Sequence, residues 1–305
     1  MAARFPMPNS DLVVSSETGG LGNRLKSWVS SMRLASDARV HWPVTSNMPA
    51  SFSELFSNDC AVDSVPTGAT VYGSWRLAIL PEDERCLPYG FATAGAGRHP
   101  LVRGLGKTWW NLTGRRTDRY RYMLYPKSYS RRATRADARH IDFEYERIPQ
   151  RLRDVYCPLF RAVAVQPAIL RRAEQWADEN LGSGCLGVQV RTWRDDPRRH
   201  AKYHPAAWRR LQQSLDATDS RFQLFVVSDS DEIMQPLRER YGARVTSFPR
   251  RTRRAESWQS VDGIVEDLID MLLLARSQRL FTSYLSTFGE TAWWLGGARA
   301  GVEVF

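Results

Sequence analysis

The second half of the chain opens with CLGVQVRTWRDD at residues 185–196, in which an apolar segment of strand length ends in Arg191. Apolar segments of similar length follow at residues 223–228, 244–248, 279–283 and 301–305. Segments with helical periodicity separate them, at residues 205–215, 231–241, 261–276 and 287–295. Strands that alternate with helices predict βαβ units in a parallel sheet, which binds ligands at the carboxyl ends of its strands.

The first half begins with a unit of the same kind. Residues 12–16 form an apolar strand segment, and Gly19, Gly20 and Gly22 supply a turn. Apolar residues then recur at helical spacing from Asn23 to Ala35. Further strands are predicted at residues 40–44 and 70–75. We therefore expect the first half to contain an open parallel sheet as well.

The pattern is weaker between these two regions. Residues 89–140 are rich in glycine, arginine and aromatic residues, which predicts an irregular insertion that faces a substrate. One helix is predicted at residues 162–180, and the glycines at positions 182 and 184 end it. The sequence thus predicts an α/β protein of two domains, residues 1–180 and 181–305.

The composition fits two folded domains that attract anions. The 305 residues are 43% hydrophobic, and the formal net charge is +10. Such a charge attracts nucleotide diphosphates, nucleic acids or anionic membranes, although arginine-rich chains also occur without any such role. The four cysteines show no CxxC spacing, which excludes the usual zinc frameworks.

The sequence shows no membrane-spanning or secretion signal. No apolar run reaches the roughly 20 residues that a membrane span requires. Residues 1–11 lack the apolar core of a secretion signal. We therefore expect a cytoplasmic protein, either free or held at the inner face of the membrane.

Two strand ends carry groups that bind anions. An arginine at a strand end, here Arg191, can hold a phosphate with both arms of its guanidinium, while the ordinary alternative is a surface ion pair with Asp195 or Asp196. Ser286 and Thr287 open the last helix, where backbone N–H groups and hydroxyls favour an anion. The ordinary alternative there is that Ser286 only caps the helix.

Carboxylates form the second set of candidate residues. Asp229 follows the strand at 223–228, and we expect Ser230 or Asp231 to cap the next helix and to leave Asp229 available for ribose or base contacts. Asp267 and Asp270 share one face of the helix at 261–276. Periodicity alone favours a solvated stripe for this pair.

Four sequence blocks together resemble the fucosyltransferase superfamily that contains bacterial nodulation and core α-1,6-fucosyltransferases and protein O-fucosyltransferases. Gly20-Leu21-Gly22-Asn23-Arg24-Leu25 is similar to its G-x-G-N-[RQ] loop, and Gly187-Val188-Gln189-Val190-Arg191 to its H-x-R segment. Phe225-Val226-Val227-Ser228-Asp229 resembles its strand that ends in A-T-D. Residues 270–274 and 286–289 resemble its D-x-x-x-L and S-[ST]-F-S block.

This resemblance implies a GT-B fold of two Rossmann-like domains that face a cleft, with a GDP-sugar in the C-terminal one and inversion without a metal or other cofactor. Arg191 would hold the β-phosphate, and Asp229 and Asp270 would contact the nucleoside. The remaining donor-binding and sugar-facing residues implied by the resemblance are Gly22, Asn23, Arg24, Gln189, Ser286, Thr287 and Phe288. Residues 1–180 would bind the acceptor, a glycan, glycolipid or other hydroxyl compound.

The chain departs from this family at the donor sugar and at the base. Gln189 stands where the family has histidine, and Thr192 where many members have a second arginine. Both leave open whether the sugar is fucose or another GDP-sugar. No clear counterpart of the core enzymes' glutamate base exists, so Asp195, Asp196 or His200 could deprotonate an acceptor, or the proton could leave late to solvent.

Three other interpretations start from short motifs. Asp229-Ser230-Asp231 matches D-x-D, which in another glycosyltransferase class binds Mn²⁺. The segment at 104–108 ends like a phosphate loop, but its first glycine would fall on Leu101. A nucleic-acid-binding surface could use two arginine clusters, at residues 115–121 and 250–254, although no RNA-binding motif accompanies them.

Overall fold

The protein, in a computed structural model, is a mixed α/β protein with two parallel sheets, as predicted. The structure describes residues 12–73, 75, 77–79, 123–124, 139–141, 148, 150–182, 184–283 and 286–305. It divides into two compact units. One comprises Met1–Pro43 and Asp59–Phe160, and the other comprises Val44–Asn58 and Arg161–Phe305.

The first unit contains a four-stranded parallel sheet in the order β3-β2-β1-β4. Its strands are β1 (Val13–Ser15), β2 (Arg39–His41), β3 (Ala61–Val62) and β4 (Thr70–Tyr72). The predicted strands at 40–44 and 70–75 are therefore shorter in the structure, and β3 was not predicted. Helix α1 (Leu21–Leu34) follows the glycine turn, as predicted, but it begins two residues earlier than Asn23.

Helix α1 is attached to this sheet by apolar packing and by serines. Leu25, Trp28 and Val29 are buried, as their spacing predicted. The hydroxyl of Ser27 donates to the Tyr72 carbonyl (2.9 Å), and the Ser30 hydroxyl accepts from the Ala78 N–H (3.1 Å). Because these serines are buried, their bonds satisfy groups that would otherwise destabilise the interface.

Part of the predicted irregular insertion at 89–140 forms a second, antiparallel sheet. It joins β5 (Leu77–Ile79), β6 (Met123–Leu124) and β7 (Arg139–Ile141) in the order β5-β7-β6. The rest of that insertion, with its arginine cluster and the phosphate-loop-like segment, lies outside the described residues. Its predicted contact with an acceptor stays a prediction.

The helix predicted at 162–180 is present as α4 (Pro167–Asn180), which begins five residues later and ends as predicted. Two helices were not predicted, namely α3 (Gln150–Arg161) and the short α2 (Phe52–Leu55) that precedes β3. Pro167 starts α4 because its fixed φ suits the first helical turn and its missing N–H is not needed there. Compactness assigns α2 and α4 to the second unit, whereas the sequence-based boundary had placed both in residues 1–180.

The second unit contains a five-stranded parallel sheet in the order β10-β9-β8-β11-β12. The strands are β8 (Cys185–Val190), β9 (Gln223–Ser228), β10 (Val245–Thr246), β11 (Arg279–Thr282) and β12 (Gly301–Val304). The helices are α5 (Pro197–Asp216), α6 (Met234–Tyr241), α7 (Val261–Leu274) and α8 (Thr287–Leu295). Every strand and helix predicted here is present.

The largest difference in bounds is at α5, which begins eight residues before the predicted Pro205. Asp196 caps it by accepting from the Arg199 N–H (3.1 Å), and Pro197 occupies the first turn. The helix continues through Pro205, which was wrongly taken as its start. No helix among the described residues combines the length and apolarity that a membrane span needs.

The two faces of β8 explain how the helices pack. Leu186, Val188 and Val190 point into an apolar core that includes Leu211 and Leu215 of α5. Gly187 and Gln189 alternate to the other face. A Cβ at Gly187 would overlap Ser277 just after α7, so glycine allows that segment to approach the strand.

Candidate functional site

In the five-stranded sheet the strand order reverses between β8 and β11. From β8 the chain builds β9 and β10 on one side, and β11 and β12 follow on the other. In open α/β sheets the crevice at such a reversal, beyond the carboxyl ends of the strands, is the usual ligand site. Arg191 directly follows β8 and Ser283 directly follows β11, so both predicted anion-binding segments border this crevice.

Hydrogen bonds join these two segments. The Arg191 backbone N–H donates to the Ser283 hydroxyl (2.8 Å), and the Ser286 N–H donates to the Ser283 carbonyl (3.2 Å). Ser286 also caps α8, since its hydroxyl accepts from the Gly289 N–H (3.2 Å). The capping role is thus confirmed. It coexists with the predicted juxtaposition of Arg191 and the first turn of α8, which contains Thr287 and Phe288.

Gln189 lies beneath α8 and is only 5% exposed. Its side-chain oxygen accepts from the Thr282 hydroxyl (2.9 Å), which ties β8 to β11. A Cβ at Gly289 would overlap the same hydroxyl, so α8 approaches the strands closely only because residue 289 is glycine. Gln189 therefore supports the floor of the crevice.

The Arg191 guanidinium lies against an aromatic ring and has no carboxylate partner in the part of the chain that the structure describes. Its central carbon is 4.2 Å from the Trp193 ring centroid. With the described residues it forms neither a side-chain hydrogen bond nor an ion pair. Burial lowers the pKa of Arg191, the nearby charge of Asp229 raises it and that of Arg199 lowers it. Its hydrogen-bonding nitrogens remain available for an anion.

The ion pair considered for Arg191 does not form. Asp195 pairs instead with Arg194 (3.0 Å), and Asp196 pairs with Arg199 (3.1 Å). The Asp195 side chain is 80% exposed. Its predicted role as a catalytic base therefore has no support from burial or positioning, and it stays a prediction.

Trp193 was not singled out in the sequence, although its backbone is unusual. Its φ is +59°, in the left-handed region that aromatic residues rarely adopt. Such a conformation costs about 1–3 kcal/mol and persists where the surroundings enforce it. The same ring also lies 5.1 Å from the Arg199 guanidinium of α5. An aromatic residue shortly after a strand-end arginine was the available signal.

Asp229 is not left free, contrary to prediction. Its Oδ1 accepts from both the N–H and the hydroxyl of Thr192 (2.8 Å each). Ser230 caps the following turn, as expected, by accepting from the Glu232 N–H (3.3 Å). Asp231 accepts from the Arg254 N–H (3.1 Å). The carboxylates of the D-x-D motif thus bind different partners, which disfavours their joint use for Mn²⁺.

His200 is held in place by Thr192, the residue that also binds Asp229. Its Nδ1 lies 2.7 Å from the Thr192 carbonyl, which can only accept, so Nδ1 bears the proton and the neutral ring keeps a lone pair on Nε2. His204 stacks on it with centroids 4.7 Å apart. Burial lowers the pKa of His204, the charge of His200 lowers it further and that of Asp229 raises it.

Asp270 is fully buried, so the solvated stripe favoured by periodicity is wrong. Its Oδ2 accepts from the guanidiniums of Arg250 (2.8 Å) and Arg254 (2.7 Å). Arg250 also binds Asp267 (2.8 Å). With 0% exposure, Asp270 cannot touch a ligand in this structure, and its contribution is to hold these two arginines.

The same contacts weaken the nucleic-acid interpretation. Arg250 and Arg254, taken as half of a basic surface cluster, have side chains only 5% and 4% exposed. The Glu266 carboxylate holds the same loop by accepting from the backbone N–H groups of Arg251 (2.8 Å) and Thr252 (3.1 Å). Of that cluster only Arg251 and Arg253 are exposed. The other cluster lies outside the described residues.

In the first unit, Arg24 does not face an open site. It is 2% exposed, and its guanidinium donates to the carbonyls of Gly19 (3.0 Å) and Pro43 (2.7 Å). It therefore fixes the glycine turn, which corrects its predicted contact with a sugar. Asn23 is half-buried against Gly19, where a Cβ would overlap its amide. Gly22 lies inside α1, so the sugar contacts implied for both residues stay predictions.

Glu17 is a candidate that sequence reasoning missed. It follows β1, and its Oε1 accepts from the N–H groups of Thr18 and Gly19 (3.0 Å each). Burial raises the pKa of Glu17, while those backbone bonds lower it. A carboxylate between a strand and a glycine turn was the signal that could have indicated it.

The whole chain resembles fucosyltransferases in fold. The crystal structure of NodZ alpha-1,6-fucosyltransferase soaked with GDP-fucose matches with a TM-score of 0.50 and 16% identity, over 93% of this chain and 92% of that one. NodZ from Bradyrhizobium gives 0.48 and 18% over 92% and 91%. The apo form of POFUT1 gives 0.48 and 13% over 99% of each chain.

No protein-family model and no curated protein matches the sequence. At 16% identity, the match to the first NodZ structure establishes a shared fold and nothing beyond it. That fold is the predicted GT-B type with two parallel sheets.

Proposed function

We propose that this protein is a glycosyltransferase that moves fucose from GDP-fucose to a hydroxyl of a glycan or glycoconjugate, with inversion and without a metal. The observation that carries the proposal is the position of Arg191. Arg191 follows the central strand β8, and its backbone N–H donates to Ser283, three residues before the Ser286 cap of α8. Among the described residues its guanidinium has no carboxylate partner. The shared fold with a fucosyltransferase soaked with GDP-fucose supports the choice of donor.

The proposed chemistry centres on the departing diphosphate. The acceptor oxygen forms a bond to C1 of the sugar while the C1–O bond to the β-phosphate breaks, and the electron pair leaves with GDP. Arg191 and the N–H groups of α8 stabilise the charge that develops on that oxygen. Because neither group must reorganise during the step, the stabilisation is available throughout it.

His200 is the best placed of the candidate bases named from the sequence. Its Nδ1 proton is used by the Thr192 carbonyl, which leaves Nε2 to take the proton of the acceptor hydroxyl. Asp195 is instead paired with Arg194, and Asp196 caps α5. The same bond connects His200 to Thr192, the residue that directly follows Arg191 in the chain.

The proposal is tested first by a thermal-unfolding panel of GDP, UDP, ADP and their sugars. Only a nucleotide that binds the native state stabilises it. At about one hundred times its Kd, GDP should raise Tm by about 5–10 °C. EDTA should leave this rise unchanged. A rise with UDP-sugars alone would favour another donor, and binding of random oligonucleotides without any response to GDP would favour the nucleic-acid interpretation.

Arg191→Gln separates the proposed site from nonspecific binding. This variant should lose the GDP-dependent rise in Tm and should release GDP from GDP-fucose about 10²–10³-fold more slowly. Arg198→Gln makes the same charge change on the exposed side of α5 and serves as the control. Equal activity of Arg191→Gln and Arg198→Gln would refute the assigned role.

A further inference from the structure

Two arginines from different elements share one aromatic ring at the edge of the proposed donor site. Arg191 extends from the end of β8 and Arg199 from the first turn of α5. Their guanidinium carbons lie 4.2 Å and 5.1 Å from the centroid of Trp193. Cations over an indole are attracted by its π face, so the ring keeps two like charges near each other.

Two locally unfavourable features accompany this arrangement. Trp193 has a φ of +59°, which is unfavourable for an aromatic residue. The first turn of α5 contains no acidic residue, although a cation there opposes the helix dipole. Both features bring the guanidiniums of Arg191 and Arg199 to the same ring at the end of β8.

The nitrogen atoms that matter remain available. Asp196 binds Arg199 through Nε (3.1 Å), which leaves the two terminal nitrogens without a hydrogen bond to the described residues. The terminal nitrogens of Arg191 likewise have no hydrogen bond to the described residues. The Arg199 side chain is 57% exposed, so it can reorient toward a ligand.

We propose that Trp193 and Arg199 complete the diphosphate site, with Arg199 as a second anion-binding cation and Trp193 as the residue that positions both guanidiniums. The inference rests on the proposed function, because it assigns the ligand as a nucleoside diphosphate. Two guanidiniums fit a pyrophosphate group, whose charge is spread over two phosphates. The bound anion also relieves the repulsion between the two arginines.

The test measures the Kd of GDP and of inorganic pyrophosphate by titration calorimetry. Arg199→Gln should weaken both about tenfold, as expected for a lost charge-assisted hydrogen bond, and the loss should shrink at higher salt. Arg198→Gln, one residue away on α5, should change either Kd less than twofold. An equal loss in both variants would show a general field effect and would overturn the inference.

Trp193 is tested with two replacements. Trp193→Asn removes the ring, yet asparagine tolerates a positive φ, so the loop keeps its backbone conformation. This variant should bind GDP about tenfold more weakly, whereas Trp193→Phe, which keeps a π face, should stay within about threefold of the original chain. Thermal unfolding verifies that both are folded. GDP binding that is unchanged in Trp193→Asn overturns the positioning role.

Binding by the unaltered protein distinguishes a missing donor site from a missing second cation. If the unaltered protein binds neither GDP nor pyrophosphate, the donor site itself is refuted. If it binds GDP and Arg199→Gln binds it equally well, only the second cation is refuted and the role of Arg191 stands.

Discussion

Replacing Asp270 by asparagine should destabilise the second unit strongly. Asp270 is fully buried and is the carboxylate partner of Arg254 at 2.7 Å, and Arg254 has no other side-chain carboxylate among the described residues. Arg250 keeps Asp267 and Glu266 after the change. The substitution thus leaves one buried guanidinium, that of Arg254, without charge compensation.

The expected size follows from that uncompensated charge. Breaking a buried ion pair from one side costs about 3–5 kcal/mol. For domains of about 150–250 residues, each kcal/mol lowers Tm by about 2–4 °C, so Asp270→Asn should lower Tm by about 6–20 °C. Differential scanning calorimetry measures the transition. Asp270→Asn combined with Arg254→Gln should recover part of the loss, because the charge left unpaired is then also removed.

Asp267→Asn is the matched control on the same helix. Burial raises the pKa of Asp267 to about 6, while the Arg250 charge lowers it, so this carboxylate is already disfavoured as an anion. Its removal should therefore cost less than that of Asp270. The resemblance to fucosyltransferases instead implied that Asp270 contacts the nucleoside. Asp270→Asn with an unchanged Tm and a lost GDP response would refute the structural reasoning and restore that role.

Three further changes test the surroundings of the site. Gly289→Ala should lower the stability by about 1–3 kcal/mol and weaken GDP binding, because its methyl group overlaps Thr282 and displaces α8; calorimetry and GDP titration measure both effects. Thr192→Val should cost about 1 kcal/mol in urea unfolding, because it removes the hydroxyl bond to Asp229. His204 has a folded pKa below its ordinary 6.5, so the free energy of unfolding should fall as pH drops below about 6.5 and be unaffected above it. This fall should be smaller in His204→Gln, and identical pH profiles of the two proteins would contradict it.

The sequence predicted the second sheet because its strands are short apolar runs with clear breaks. Strand β9 is buried along most of its length and agrees with prediction at both ends. Helix α8 agrees at both ends as well, because Ser286 caps it and Gly296 follows it. The bounds of α5 were wrong because Pro205 was taken as a start signal, although the capping residue Asp196 lies nine residues earlier.

The roles of charged residues were harder to predict because their partners lie far away in sequence. Periodicity showed Asp270 as one polar position among apolar ones, and its buried partners come from a loop 16 and 20 residues earlier. Arg24 was assigned to ligand binding because its segment resembles the G-x-G-N-[RQ] loop of fucosyltransferases, yet it binds carbonyls at Gly19 and Pro43. A sequence shows that a charge is present but not what compensates it.

Arg191 and Arg254 differ in which groups lie next to their positive charges. Arg254 is buried and Arg191 is partly buried, and both occur in arginine-rich segments. Arg254 has a carboxylate at 2.7 Å, which uses its charge within the fold. Arg191 has an indole ring at 4.2 Å, which stabilises the charge while leaving its hydrogen-bond donors unused. Since desolvating such donors without partners is unfavourable, the lack of a carboxylate partner for Arg191 among the described residues is what supports the proposal that it binds an external anion.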